Sequence, residues 1–143
     1  MTIQAITVIG AGTMGHGIAQ VAAQSGYEVV LYDVEARFIE RGWAAIVSNL
    51  DKGIERGKLS AEEKAGTLGR IVKRPALAEA VARADLVIQA IPEDLQLKSR
   101  LYSSLAAMLP ADCILASNTS SISIATLAAQ SDRADRFIGM HFF

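Results

Sequence analysis

Three glycines near the start of the chain have the spacing of a phosphate-binding turn. The run reads Gly10-Ala11-Gly12-Thr13-Met14-Gly15, and it follows a β-rich segment directly and opens a helical one. Gly10 would permit the tight turn, Gly12 would let a pyrophosphate approach the backbone, and Gly15 would let the helix pack closely on the strand. The free N–H groups at the start of the helix would then bind the phosphates. Residues 10–15 therefore predict a dinucleotide site, and the alternative is a glycine-rich turn with no ligand.

An acidic residue at the end of the next predicted strand supports this interpretation. Asp33 lies where a carboxylate binds the hydroxyls of the adenine ribose, and its charge repels the 2′-phosphate of NADP. The predicted cofactor is therefore NAD, although the nearby basic residue Arg37 favours NADP. The alternative role for Asp33 is that of a turn residue at a strand end.

The elements around these residues alternate between strand and helix. The predicted strands are short and apolar, which is typical of a parallel sheet covered on both faces; they span Ile3–Ile9, Tyr27–Tyr32, Ile71–Val72, Leu86–Ile91, Cys113–Ala116 and Phe137–Met140. The predicted helices span Met14–Ser25, residues 35–56, a segment starting at a capping box of Ser60 and Glu63, Leu95–Leu109 and Ile122–Ala129. The pattern predicts one Rossmann-type domain over residues 1–143: a doubly wound α/β fold with a mainly parallel sheet and a helical excursion after the second strand.

Composition narrows the range of functions. The net charge is −1, from 14 basic and 15 acidic residues, so the charge balance does not favour nucleic acid or an anionic membrane as a partner. We recognise no targeting segment and no apolar stretch near the roughly 20 residues that span a bilayer, so we expect a cytoplasmic protein. The one cysteine, Cys113, rules out an intrachain disulfide and lies in an apolar run typical of a buried, inert thiol. We predict no metal site.

Several strings in the sequence resemble the N-terminal domain of the 3-hydroxyacyl-CoA dehydrogenases, including the short-chain 3-hydroxybutyryl-CoA enzymes. The strings are VIGAGTMGHGIAQ (8–20), VVLYD (29–33), Ile91-Pro92-Glu93 with Lys98, ASNTSSISI (116–124) and GMHFF (139–143). The resemblance covers the entire chain, and the serine-rich string followed at this distance by GMHFF is far more specific than the glycine motif. It implies an enzyme that interconverts (S)-3-hydroxyacyl-CoA and 3-oxoacyl-CoA by transfer of a hydride to or from NAD.

The resemblance assigns chemical roles to two residues. His141 matches the family's general base, which takes the proton of the 3-hydroxyl as hydride leaves C3, and a histidine suits this task because its usual pKa lies near working pH. Ser120 matches the serine that hydrogen-bonds the reacting oxygen near the nicotinamide. Without the resemblance, a structural role for His141 is equally well supported. The alternative for the serine-rich loop is helix capping, by Ser121 or Ser123.

Further residues are expected around the nicotinamide end of the cofactor. Asn118 is expected to shape the serine-rich loop and to contact the cofactor. His16, on the cofactor-binding helix, is expected to be structural or solvent-facing rather than catalytic. Glu93 and Lys98 match family positions that line the nicotinamide ribose, and the alternative for them is a surface ion pair on a helix that starts near Asp94.

The resemblance also bears on three more polar residues. Gln89 stands where many family members have a glutamate, and the effect of this difference on binding is left open. Asn49 and Arg56 fall near positions where some relatives place a serine and a lysine that contact CoA. We therefore expect these two residues to contact the substrate, with Arg56 meeting a CoA phosphate.

Family members continue beyond GMHFF with a helical domain, which we expect to be absent from this chain. That domain supplies a glutamate that orients the histidine, an asparagine near the thioester carbonyl, and the dimer interface. The isolated chain is therefore expected to bind NAD without useful turnover, and the full-length protein to act on an acyl-CoA as a homodimer. Two alternatives share the motifs: a gulonate dehydrogenase-like enzyme, which uses a free sugar acid, and a non-catalytic NAD-binding or structural module. The presence of both His141 and Ser120 argues against the second of these.

Overall fold

The computed structural model describes residues 2–119 and 122–142, and within them six strands form one parallel sheet. The strands are β1 (Ala5–Ile9), β2 (Glu28–Tyr32), β3 (Ile71–Lys73), β4 (Leu86–Gln89), β5 (Ile114–Ser117) and β6 (Phe137–Gly139). Their spatial order is β3-β2-β1-β4-β5-β6, and every neighbouring pair is parallel. The order reverses between β1 and β4, as predicted for a doubly wound sheet. This reversal opens a crevice beyond the C-terminal ends of β1 and β4.

Helices cover both faces of the sheet. They are α1 (Thr13–Gln24), α2 (Ala36–Glu55), α3 (Ala61–Gly69), α4 (Leu77–Val81), α5 (Leu95–Ala106) and α6 (Ile124–Gln130). α2 and α3 form the helical excursion that was predicted between the second and third strands. The short α4 and a 3₁₀ turn at Ala134–Arg136 were not predicted, because five and three residues are too few to show a helical period.

The C-terminal ends of β4 and α5 fall short of their predicted positions by two and three residues. β4 stops at Gln89 rather than Ile91, although the N–H of Ala90 still donates to β1. α5 stops at Ala106 rather than Leu109, because the last N–H groups of this segment turn back onto the carbonyl of Leu105. Frayed ends of this kind leave no clear signal in hydrophobic periodicity.

Two apolar layers, one on each face of the sheet, hold the elements together. The first layer includes Val8 of β1 and Ile46 of α2, both fully buried. The second includes Val87 of β4, Tyr102 of α5 and Leu127 of α6. Because the central strands bury side chains on both faces, they read as continuous apolar runs rather than as alternating ones.

Side-chain caps define where three helices begin. Ser60 and Glu63 form the predicted capping box at α3, with bonds of 3.0 and 3.2 Å. Asp94 caps α5 and Ser123 caps α6, each accepting a hydrogen bond from a backbone N–H three residues further on. Of the two serines considered as caps, Ser123 therefore has that role, and Ser121 lies outside the described residues.

The structure also bears on three general properties: membrane-spanning helices, metal-binding groups and the state of the cysteine. Over the described ranges, no helix combines the length and apolar character needed to cross a membrane. Within the same ranges, no three His, Cys, Asp or Glu side chains are grouped so that they would hold a metal ion. Cys113 is buried, and its burial raises the pKa of the thiol to about 11, as expected of an inert cysteine.

Candidate functional site

The glycine-rich turn packs as its sequence predicts. Gly10 has a φ of +107°, and a Cβ there would lie 2.4 Å from the carbonyl oxygen of Ala90. A Cβ on Gly15 would lie 1.7 Å from the carbonyl oxygen of Gly10. Only glycine fits at these two positions, because the turn is tight and α1 approaches it closely.

Gly12 marks the open side of the turn. A Cβ built there finds no atom within 4 Å, and Gly12 is the N-cap of α1 with no side-chain cap of its own. Thr13 and Met14, which begin the helix, are exposed. The first N–H groups of the 12-residue α1 therefore face open space, where the helix dipole favours a phosphate.

Asp33 ties this turn to the end of β2. Its carboxylate accepts a hydrogen bond from the N–H of Ala11 at 2.8 Å and another from the N–H of Val34 at 2.7 Å. The turn role and the ribose role of Asp33 are compatible, since the half-buried carboxylate also lines a cleft. Arg37 is occupied elsewhere: its guanidinium pairs with Glu35 at 3.1 Å and does not line that cleft.

A second helix also fits against the turn, which the sequence did not reveal. Gly42 of α2 is buried, and a Cβ there would lie 2.7 Å from the carbonyl oxygen of Ala11. The turn is thus held by α1, by the end of β2 and by the middle of α2. Its shape is set before any ligand arrives.

The cleft beside Asp33 has a volume of about 660 Å³ and is mainly apolar. It lies between the glycine turn, the start of α2 and α5, and is lined among others by Tyr32, Asp33, Phe38, Arg41, Leu77, Leu97 and Leu101. Burial and the nearby Asp33 charge raise the pKa of the Tyr32 hydroxyl. Sequence reasoning missed the apolar lining. The available signal was a pair of leucines four residues apart near the start of a predicted helix, Leu97 and Leu101, which share one helix face. In the structure Leu97 is 39% exposed and faces the cleft.

A second cleft, of about 410 Å³, lies on the other side of the glycine turn. It brings together residues that lie far apart in the sequence: Gly12, Thr13, Met14, Glu93, Asn118 and His141, with Ala90, Ile91, Pro92 and Phe142. Both clefts include Gly12 and the Ala90–Pro92 segment. One elongated ligand can therefore occupy both clefts, with its middle against the N-terminus of α1.

Asn118 holds the segment that carries His141. Its side-chain oxygen accepts a hydrogen bond from the N–H of Phe142 at 3.1 Å, and its own N–H donates to the carbonyl of Gln89 at 2.9 Å. This geometry fits the predicted role of Asn118 in shaping the loop. His141 is exposed at the mouth of the second cleft, and Ser120 lies outside the described residues.

Lys98 is not a surface residue, so the alternative of a surface ion pair is wrong. Its side chain is fully buried, with Nζ 3.3 Å from Oγ of Ser117 and 3.7 Å from Oε1 of Glu93. Burial lowers the pKa of the Lys98 ammonium, and the Glu93 carboxylate acts in the opposite direction. Glu93 lines the second cleft, where its other oxygen accepts from Thr119 at 2.7 Å. Lys98 lies behind Glu93 and does not line the cleft.

Gln89 is buried beneath the same cleft. Its Oε1 accepts hydrogen bonds from Oη of Tyr102 at 2.9 Å and from Oγ of Ser117 at 2.7 Å. Its Nε2 has no acceptor among the described residues. Burial raises the pKa of Tyr102 to about 12, so this hydroxyl remains a donor at neutral pH.

Among the residues named from the sequence that lie outside both clefts are Asn49, Arg56 and His16. Asn49 and Arg56 are exposed on α2 and just beyond it, and Asn49 donates to Gln20 of α1 at 3.2 Å. Their contact with a substrate stays a prediction. His16 lies one turn into α1, with Nδ1 2.7 Å from the carbonyl oxygen of Gly12, as expected of a structural residue.

Fold and site together define a Rossmann-type dinucleotide-binding domain. Residues 5–143 match the family described as "3-hydroxyacyl-CoA dehydrogenase, NAD binding domain". The chain belongs to this family, and its cofactor is NAD. The family resemblance drawn from the sequence is thereby confirmed.

Curated relatives and solved structures agree with this membership. The chain is 43% identical to 3-hydroxyadipyl-CoA dehydrogenase of Escherichia coli K12, over 100% of the chain and 30% of that protein. It is 45% identical to 3-hydroxybutyryl-CoA dehydrogenase of Bradyrhizobium diazoefficiens, over 98% of the chain and 47% of that protein. Its fold matches the (S)-3-hydroxybutyryl-CoA dehydrogenase PaaH1 from Ralstonia eutropha with a TM-score of 0.96 at 42% identity, covering 99% of the chain and 50% of that structure. The chain thus spans about half the length of these relatives, or less.

Proposed function

We propose that this chain is the cofactor-binding half of an enzyme that interconverts (S)-3-hydroxyacyl-CoA and 3-oxoacyl-CoA with NAD. The observation that carries the proposal is the second cleft, where His141, Asn118 and Glu93 meet the glycine turn. A site that bound NAD without chemistry would not require a histidine at the far end of the cofactor. The names of the relatives supply the substrate class.

The residues present fit NAD. The open face of Gly12 and the free N–H groups of α1 accommodate the pyrophosphate, and Asp33 faces the cleft that suits adenosine. Glu93 and Asn118 line the cleft proposed for the nicotinamide and its ribose, with Lys98 supporting Glu93 from behind. When bound, NAD supplies an acceptor for the hydride that leaves C3 of the substrate.

His141 then serves as the general base. In the forward direction its imidazole takes the proton of the 3-hydroxyl while the C3–H bond breaks, and in the reverse direction the imidazolium returns that proton. Ser120 donates a hydrogen bond to the reacting oxygen, as the family resemblance implies. Asn118 positions His141 through its bond to the neighbouring Phe142 N–H.

We assign the remaining functions to the part of the relatives' sequences that this chain does not cover. We propose that a helical domain there closes the substrate cleft, orients His141 and forms a homodimer. Contact of Asn49 and Arg56 with CoA, and a cytoplasmic location, are part of the same proposal. The gulonate dehydrogenase-like and non-catalytic alternatives are not favoured, because the relatives at 42–49% identity are named for acyl-CoA substrates.

The test is an assay of acetoacetyl-CoA reduction, followed by the loss of NADH absorbance. It is run on the 143-residue chain alone and on a longer polypeptide that carries the chain. We expect NADH binding by both and turnover by the longer one. Oxidation of a free sugar acid in preference to 3-hydroxybutyryl-CoA would contradict the proposed substrate class. Equal turnover by the two polypeptides would contradict the proposal that a further domain is needed for activity.

A further inference from the structure

The hydroxyl of Thr119 is bonded to two segments that meet at the second cleft. It donates a hydrogen bond to Oε2 of Glu93 at 2.7 Å, and it accepts one from the backbone N–H of Ile122 at 3.2 Å. The first bond reaches the segment after β4, and the second stays within the serine-rich string of residues 116–124. One oxygen atom therefore joins the segment that carries Glu93 to the string that contains Ser120.

The Thr119 hydroxyl and the Lys98 ammonium contact different oxygens of the Glu93 carboxylate. Nζ of Lys98 lies 3.7 Å from Oε1, whereas the Thr119 hydroxyl donates to Oε2. The first distance is longer than a hydrogen bond, and 2.7 Å is the usual length between a hydroxyl and a carboxylate. A contact on one oxygen alone would permit rotation of the carboxylate. Contacts on both oxygens define its plane as it lines the cleft.

Threonine suits this role because its side chain is stiff. A β-branched side chain has few rotamers, so Thr119 presents its hydroxyl in one direction at little cost in entropy. The N–H of Ile122 points at the hydroxyl oxygen, which directs the hydroxyl proton elsewhere, and Glu93 is the acceptor it meets. The carboxylate is 38% exposed, so water weakens this bond without replacing its fixed direction.

We propose that Thr119 is a positioning residue for the nicotinamide end of the cofactor: its hydroxyl holds the Glu93 carboxylate in the second cleft and ties it to the serine-rich string. The links to cofactor affinity and to turnover rest on the proposed functions of Glu93 and Ser120. The link between positions 119 and 93 does not, and it is measurable without cofactor.

The first experiment is a double-mutant cycle in the cofactor-free protein. Thr119→Val keeps the shape of the side chain and removes the hydroxyl, and Glu93→Ala removes the acceptor. The urea midpoint of the double variant should be lowered by clearly less than the sum of the two single shifts, because both single variants break the same bond. Additive shifts would overturn the proposal. If Thr119→Val does not fold, Thr119→Ala takes its place with the same expectation.

The second experiment measures NADH affinity by calorimetry. Thr119→Val should weaken binding about fivefold, and Thr119→Ser, which keeps the hydroxyl, by less than about twofold. In the Glu93→Ala background, Thr119→Val should change the affinity by less than about twofold. The matched control is Thr126→Val, since Thr126 is exposed on α6 and lines neither cleft.

Equal losses of NADH affinity in Thr119→Val and Thr119→Ser would contradict the proposal, because the hydroxyl would then not be the group responsible. So would a fivefold loss that persisted in the Glu93→Ala background. If the wild type bound no NADH, the proposed function would fail, and the unfolding cycle would still decide whether Thr119 holds Glu93.

Turnover tests the tie to the serine-rich string. In a longer polypeptide with dehydrogenase activity, Thr119→Val should lower kcat at saturating NADH about tenfold, and Thr119→Ser should recover most of the loss. An effect on the KM for NADH with kcat unchanged would overturn this part of the proposal, because the bond would then position Glu93 alone.

Discussion

The carboxylate of Asp33 accepts a hydrogen bond from the backbone N–H of Ala11 at 2.8 Å. This bond joins the end of β2 to the middle of the glycine turn. Asp33 therefore contributes to the shape of the phosphate site as well as to the cleft proposed for adenosine. A substitution that removes the Asp33 side-chain oxygens should consequently affect cofactor binding differently from one that removes only the charge.

We expect Asp33→Ala to weaken NADH binding by about tenfold, because it removes both a ribose partner and the bond to Ala11. Asp33→Asn keeps an oxygen that can accept from Ala11 and loses only the charge. It should narrow the preference for NADH over NADPH with a smaller loss of NADH affinity. Isothermal titration calorimetry with both nucleotides measures these effects. Stronger binding of NADPH than of NADH by the wild type would contradict the role of Asp33 in cofactor choice.

Gly15→Ala should be severely destabilising, by more than about 3 kcal/mol, because the new Cβ meets the carbonyl oxygen of Gly10. Gly17→Ala is the matched control in the same helix. A Cβ there finds no atom within 4 Å, and alanine should stabilise the helix by about 0.5–1 kcal/mol. Chemical unfolding of the two variants gives the comparison. Similar stabilities would mean that α1 does not depend on its close approach to the turn.

His141→Ala should lower turnover by roughly 10²–10⁴-fold while leaving NADH affinity nearly unchanged, as expected of a general base that does not hold the cofactor. The measurement combines steady-state kinetics of a polypeptide with dehydrogenase activity and NADH titration. His16→Ala is the control, since Nδ1 of His16 lies 2.7 Å from the carbonyl oxygen of Gly12 in its own helix turn and His16 lines neither cleft. A His141→Ala variant that lost NADH affinity in proportion to activity would show that His141 acts in binding.

Asp85 should stabilise the fold in a pH-dependent way. Its carboxylate accepts hydrogen bonds from the N–H groups of Gln4 and Ala5, both at 2.9 Å, and these bonds hold the pKa of the carboxyl below its usual value. A depressed folded-state pKa contributes stability above the unfolded value of about 3.9, and the contribution is lost as the pH falls through the folded value. Asp85→Asn should therefore cost about 0.5–1 kcal/mol near neutral pH, a small effect because water screens this residue.

The pH series tests the sign of this effect. Urea midpoints of the wild type and Asp85→Asn should converge as the pH drops below about 3.9, since the other carboxyl groups titrate in both proteins. A difference that stayed constant as the pH fell well below about 3.9 would exclude the charge of Asp85 as its source.

The sequence was sufficient to predict parts of the site wherever a local residue pattern determines the backbone geometry. Gly10 and Gly15 were predicted because steric exclusion at a strand-to-helix turn leaves no other choice of residue. The burial of Lys98 was not predicted, because a charged residue in the first turn of a helix normally lies in water. Only the tertiary packing of α5 on β5 places its ammonium beside Ser117. The apolar cleft lined by Phe38 and Leu97 was missed for the same reason, since its walls come from separate helices.

The residues that form the second cleft are separated by longer stretches of sequence than those that close the phosphate turn. This difference has a consequence for folding kinetics. The turn around Ala11 closes onto Asp33, which lies 22 residues further along the chain. The second cleft instead needs Glu93, Asn118 and His141, from segments after β4, β5 and β6. Contacts between distant segments carry a larger loop-closure entropy and form late. We therefore expect the phosphate turn to form early in refolding and the nicotinamide pocket to form last. In stopped-flow refolding with NADH present, the cofactor's fluorescence should change only in the final phase, and a change in the earliest phase would show the opposite order.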